Sequence, residues 1–346
     1  MYEHWLLTWD TPVALLPVVV FLAALIYFDS FKLVSVKLIT GIIVVGAATA
    51  GASYFVNGAV YNQFDMEFVT YSRYVAPWVE ELLKGLLVVV FVHTRRVGLL
   101  VDALIVGFAL GAGFALVENV FYLAERTNAV LLVQIIRGFG TAIMHGGATG
   151  IFAMISVALY DRHPDGGLQY FLPGFVCGVV LHSAFNHLLV QPFIATAVMA
   201  VVLPVAFYFV FKRSESGLRD WMESDLNAKL TLLNSIKSGQ FLDTPSGRYL
   251  QSLRNRFDGE TLADMLCYMR LQGELALRAN GLILMREVGL GEEGPDPEIQ
   301  SGLAELAHLE RAVGKTALMT LRPILTVTGK DLWQLNLLGG TAKATS

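Results

Sequence analysis

Residues 76–92 read Ala-Pro-Trp-Val-Glu-Glu-Leu-Leu-Lys-Gly-Leu-Leu-Val-Val-Val-Phe-Val. The stretch is apolar except for Glu80, Glu81 and Lys84, and it approaches the roughly 20 residues that a helix needs to cross a bilayer core about 30 Å thick. Six further stretches have the same character: Pro12 to Phe28, Val34 to Phe55, Leu100 to Ala124, Ala129 to Tyr160, Tyr170 to Leu189 and Pro192 to Phe211. The fifth span in chain order, Ala129 to Tyr160, is long enough to tilt or to emerge into water. Met1 to Thr11 contain Glu3 and Asp10 and no Lys or Arg, so the first span is not read as a cleavable leader. The pattern predicts an all-α fold, a polytopic bundle of about seven membrane spans.

Composition agrees. Of 346 residues, 55% are hydrophobic and 16% charged, where a soluble protein carries about 25% charged residues. The mean hydropathy is +0.56. A net charge of −4 gives no electrostatic basis for binding nucleic acid, and two cysteines make no disulfide framework. Most of the charge falls after Phe211. Residues 1–211 are therefore expected to form the transmembrane domain, and 212–346 a soluble helical domain. In the tail, Leu218, Trp221, Met222, Leu226, Leu230 and Leu233, and then Leu262, Met265, Leu266 and Met269, recur mostly at three- and four-residue spacing. Breaks are expected at Asp243 to Gly247, Gly289 to Pro297 and Thr326 to Gly329. This domain would regulate, dimerise or recruit a partner, or act only as a solubilising cap.

Lys and Arg set the orientation. Alternate loops and span ends place Lys32, Lys37, Arg95, Arg96, Arg162, Lys212 and Arg213 on one side and only Arg73 and Arg126 on the other. The N-terminus is expected outside and the C-terminal domain in the cytoplasm. Three G-x-x-x-G pairs, Gly107 with Gly111, Gly146 with Gly150 and Gly174 with Gly178, predict close backbone approach among the fourth, fifth and sixth spans.

Inside the apolar segments lie Glu80, Glu81, Lys84, Glu118, Asn119, Arg137, His145, His182 and Asn186. Five ionised groups at the bilayer centre would cost on the order of 15 kcal/mol if unpaired, so they are expected to face one another or a water-filled cavity. Lys84 lies three and four residues from the two glutamates, and His182 and Asn186 share a face. In the expected topology these groups come to a similar depth, nearer the outer surface. Adjacent carboxylates in a low-dielectric site repel and can exchange protons near neutral pH. A glutamate, a histidine and a water form a general-base pair, and an asparagine amide can stabilise an oxyanion. Imidazole and carboxylate also suit zinc. No G-x-S-x-G or H-E-x-x-H is present, and Cys177 falls roughly opposite His182.

The ordered motifs Glu80-Glu81-Leu82-Leu83-Lys84, Glu118-Asn119-Val120-Phe121-Tyr122, His145 on a glycine-rich helix, and His182-Ser183-Ala184-Phe185-Asn186 resemble those of the PrsW family of intramembrane proteases. The likeness covers about Pro77 to Leu189 and is shared more distantly with the CAAX prenyl endopeptidases. Those enzymes have an arginine four residues after the second glutamate, where this chain has Lys84 three after it, which favours the PrsW branch. The resemblance implies that Glu80 or Glu81 activates water. His145 and His182 would position water or bind the substrate carbonyl, Asn186 would support the oxyanion, and Glu118 would orient a histidine. If the chemistry is zinc-dependent, His145, His182 and Glu118 are the expected ligands. The implied substrate is a membrane-anchored protein, such as an anti-sigma-type regulator, cut from the extracytoplasmic side. The contrasting readings are a proton- or ion-coupled transporter, against which no internal repeat is found, and an inactive membrane scaffold.

Overall fold

The computed structural model describes residues 19–24, 26–27, 34–64, 66–125, 131–163, 166–187, 192–290, 296–325 and 329–343, and these form helices and no strand. Contacts divide the chain into two units, Met1–Ser214 and Glu215–Ser346.

The first unit contains α1 (Val36–Tyr61), α2 (Phe68–Tyr74), α3 (Ala76–His93), α4 (Leu100–Glu125), α5 (Leu131–Tyr160), α6 (Leu172–Asn186) and the start of α7 (Pro192–Lys237). Ser35 starts α1 by accepting a hydrogen bond from the Leu38 N–H at 3.2 Å. Pro77 sits in the first turn of α3, where a missing N–H costs nothing. Among the described residues, five helices are long and apolar enough to cross a membrane: Val36–Tyr61, Leu100–Phe121, Gly138–Tyr160, Leu168–Asn186 and Phe193–Lys237. The expected span at Ala76 to Val92 is also a helix, but Glu80, Glu81 and Lys84 give it more charge than a plainly apolar span carries. The expected span at Pro12 to Phe28 lies mostly outside the described residues.

α4 is the buried axis of this unit: Ala103, Leu104, Phe108, Ala109 and Ala115 are fully buried. It packs on α5 along the predicted glycine stripe. A methyl group on Gly107 would lie 2.6 Å from the Thr149 carbonyl oxygen, and one on Gly111 would overlap the His145 backbone. Only hydrogen at these positions allows the two backbones to meet. This contact fixes the height of His145 against α4.

The apolar run Pro192 to Phe211 and the helical spacing expected from Leu218 to Leu233 fall on one continuous helix, which runs to Lys237. Only Gly217 in this stretch is a poor helix former, so the change in composition marks no break in the backbone.

The second unit adds α8 (Pro245–Ser252), α9 (Gly259–Glu287), α10 (Pro297–Leu321) and α11 (Gly329–Lys343). Thr244, Asp258 and Asp296 each cap a helix through a side-chain oxygen. Met265 and Met269 are fully buried in a cluster with Phe241, Leu250 and Leu321. Leu226 and Leu230, read as part of an apolar face, are exposed. Within this unit Lys229 bridges Asp225 at 2.5 Å and Asp331 at 2.6 Å.

Candidate active site

Four helices of the first unit bring their ionisable groups together. On α3, successive side chains diverge by about 100°, so neighbouring Glu80 and Glu81 face different partners. Glu81 and Lys84, three residues apart, are fully buried, and the Lys84 ammonium donates to Glu81 Oε1 at 2.5 Å. The same Nζ lies 2.9 Å from His145 Nδ1 on α5 and 4.7 Å from the centre of the Phe114 ring on α4. His145 Nε2 is 2.6 Å from Glu118 Oε2, also on α4. On α6, His182 Nδ1 lies 2.9 Å from Glu81 Oε1, and the two histidine rings meet edge to face with centroids 4.6 Å apart.

Donor chemistry assigns the tautomers. An ammonium only donates, so His145 accepts from Lys84 through Nδ1 and gives its proton on Nε2 to Glu118. A carboxylate only accepts, so His182 carries its proton on Nδ1 toward Glu81. The lone pair of His182 Nε2 is then left facing Glu80 Oε2, 3.8 Å away. Glu80 Oε1 is held from the other side by the Asn57 amide of α1 at 3.1 Å. Glu80 Oε2 and Glu81 Oε2 are buried and have no hydrogen-bond partner among the described residues.

Glu80, His145 and His182 each offer a ligand atom, and these atoms lie within 4.8 Å of one another. Buried acceptor oxygens without donors are costly, and a cation answers that cost. The donor set of one carboxylate and two imidazoles is one that zinc takes in hydrolytic sites. The residues therefore fit a metal, with one adjustment: both nitrogens of His145 are engaged, and it would exchange Lys84 or Glu118 to become a ligand.

Of the six residues expected at the site, five are joined in this network. The group of three holds Glu80 with His145 and His182, whereas the expected ligand set paired those histidines with Glu118, which here contacts His145 Nε2. Asn186 is not brought in. Its amide donates to the Ser72 carbonyl at 2.9 Å, while Ser183 Oγ donates to the Arg73 carbonyl at 2.7 Å. The last carbonyls of a helix lack partners within it, and these two α6 side chains supply the donors for α2. Asn119 donates to the Gly138 carbonyl at 2.9 Å and joins α4 to α5. The Arg137 side chain lies outside the described residues.

The reading of intramembrane charges passed over Asn57 and Tyr71. The Tyr71 hydroxyl lies 2.9 Å from Asn57 Oδ1. Both side chains are polar at a span end, a common place for Asn and Tyr, and nothing in the spacing of α1 tells which helix it will face.

A bundle of membrane-length helices enclosing buried carboxylates, imidazoles and an ammonium is a multi-pass membrane protein with a reactive polar centre, of the kind that hydrolytic membrane enzymes use. Residues 29–211 match the family described as PrsW family intramembrane metalloprotease, and the chain belongs to that family. No curated protein and no solved structure matches it.

Proposed function

We propose that the chain is an endopeptidase of seven spans that cuts membrane-anchored protein substrates, with Glu80 as the general base. The supporting observation is the pairing of Glu80 Oε2, buried and without a hydrogen bond among the described residues, with the lone pair of His182 Nε2 at 3.8 Å. A water between two such acceptors can donate one hydrogen to each, which leaves its oxygen lone pairs free for attack. Glu80 takes a proton as the water oxygen attacks the substrate carbonyl carbon. That proton passes to the amide nitrogen as the C–N bond breaks, leaving a carboxylic acid and an amine. Glu81 and Glu118 hold His182 and His145 in their tautomers, and Lys84 pairs with Glu81. In the metal-dependent alternative, Glu80, His145 and His182 would hold zinc, which would acidify its water and polarise the carbonyl, and Glu80 would then serve as a ligand in place of the base.

The substrate class we favour is a single-pass regulatory protein of the anti-sigma type, cleaved on the outer side of the cell membrane. The Lys and Arg distribution supports an outside N-terminus and a cytoplasmic C-terminal domain that docks a partner or a second copy.

The test compares membrane-protein fragments in cells carrying the wild type or Glu80→Gln. General-base loss lowers rates by about 10²–10⁴-fold, so a fragment present with wild type should vanish with the variant. An unchanged fragment pattern, with both proteins inserted to the same level, rejects the proposal.

A further inference from the structure

Glu80 is useful only if its free oxygen points at His182, and the groups that aim it come from outside the sequence motifs. Asn57 lies in the last turns of α1, where its amide makes contacts in three directions. Its Nδ2 donates to Glu80 Oε1 at 3.1 Å and to Ser53 Oγ at 3.1 Å. Its Oδ1 accepts from the Tyr71 hydroxyl at 2.9 Å, and the same hydroxyl is 3.1 Å from the Asn57 carbonyl oxygen. Tyr71, on α2, is 3% exposed. Its ring packs edge to face on Tyr61 with centroids 5.0 Å apart.

These contacts leave the amide one orientation. Turned over, it would set its oxygen against a Glu80 oxygen, acceptor facing acceptor. In the orientation seen, both N–H donors and the carbonyl are used. Glu80 Oε1 is thereby pinned, and rotation about the carboxyl group is fixed with Oε2 toward His182. The order of dependence runs from Tyr71 to Asn57 to Glu80, across three helices.

We propose that Asn57, held by Tyr71, is the positioning residue for Glu80, setting its free oxygen toward His182 for proton transfer or, when zinc is bound, for ligation. This rests on the hydrolytic reading above, but its test separates the two. Partners that orient a ligand typically change metal affinity or activity by about 10–100-fold when removed.

The experiment uses the full chain in detergent or nanodiscs and reads two quantities. One is the affinity for zinc, by competition with a chromophoric chelator. The other is kcat and KM on a cleaved membrane substrate. Tyr71→Phe keeps the ring and removes only the hydroxyl; it should weaken zinc binding and lower kcat by about tenfold each, with KM unchanged and a small loss of thermal stability from the Asn57 oxygen left without its donor. Asn57→Leu should act more strongly in the same direction, and adding Tyr71→Phe to it should do nothing further, because the two act through one contact. Ser53→Ala, which removes the amide contact that does not lead to Glu80, should stay within about twofold of wild type.

Zinc affinity and kcat unchanged in both Tyr71→Phe and Asn57→Leu, with Glu80→Gln inactive, overturns the positioning role and leaves the hydrolase standing. So does an effect of Ser53→Ala equal to that of Asn57→Leu, which would mark a packing role alone. Zinc binding that depends on Asn57 and Tyr71 in a protein whose Glu80→Gln variant still cleaves upholds the positioning and rejects Glu80 as base. If Asn57→Leu fails to fold, Tyr71→Phe decides.

Discussion

Lys84 shows how costly groups are kept in the bundle. It is fully buried, and its ammonium is shared between Glu81 Oε1, His145 Nδ1 and the Phe114 face. Removing one partner of a buried ion pair costs about 3–5 kcal/mol, because the other is left as an uncompensated buried charge. Lys84→Met is therefore expected to lower the unfolding free energy in detergent by about that amount, and adding Glu81→Gln should restore part of it. Losses that simply add would show that the two residues are not coupled. The same expense made the site legible in the sequence. Glu80, Glu81, Lys84, Glu118, His145 and His182 stood out because lipid does not tolerate them singly. Asn57 and Tyr71 did not, since an amide or phenol near a membrane surface is ordinary. Asn186 was legible as a motif member, but its partner is a backbone carbonyl, which no side-chain pattern reveals.

At the level of the elements, the glycine stripes do more than allow packing, because α4 rests on the backbone of the residue that carries an imidazole. Gly111→Leu would drive a side chain into the His145 carbonyl. Overpacking of this kind costs about 1–3 kcal/mol, and here it also displaces His145 from Lys84 and Glu118. Lower thermal stability and lost zinc binding are expected together. Gly58→Leu on α1, which meets nothing within 4 Å, should change neither. A stable Gly111→Leu that binds zinc normally would refute the registration of His145 by α4. This stripe was readable as a four-residue repeat; helical spacing after Phe211 was readable too, but not that it continues the apolar helix without a break, because the end of hydrophobicity is not the end of a helix. In the second unit, Asp258 caps α9 by accepting from the Thr261 N–H at 2.7 Å. That hydrogen bond, with a further one from the Thr261 side chain, holds the carboxyl below its usual range. A lowered folded-state pKa gives stability that is present above the unfolded value of about 3.9 and is lost as pH falls through the folded one. Circular dichroism melts from about pH 6 to about pH 3 should show wild type losing stability relative to Asp258→Asn, which caps without titrating. Parallel pH curves would remove the carboxylate from that role.

At the scale of the whole molecule, the direction of the chain in the membrane decides which side the chemistry faces. Within the first unit, Arg95 pairs with Asp161 at 2.9 Å and stacks on Tyr160 at 4.3 Å. The α3–α4 turn and the end of α5 therefore share one face, and Arg95, Arg96 and Arg162 cluster there. Arg73 belongs to the opposite end, where its carbonyl accepts from Ser183 and α2 adjoins Asn57. The basic cluster is expected in the cytoplasm, which sets Glu80, five residues into α3 from the Arg73 end, near the outer surface. Cys177 and Cys267 are both free thiols and permit a direct check. In a Cys177→Ser background, Cys267 should resist a membrane-impermeant maleimide in intact cells and react after permeabilisation. In a chain also carrying Cys267→Ser, Gln63→Cys, in the exposed turn after α1, should react in intact cells. The reverse pattern would turn the molecule over, and the substrates sought would then be those whose cytoplasmic segments are cut.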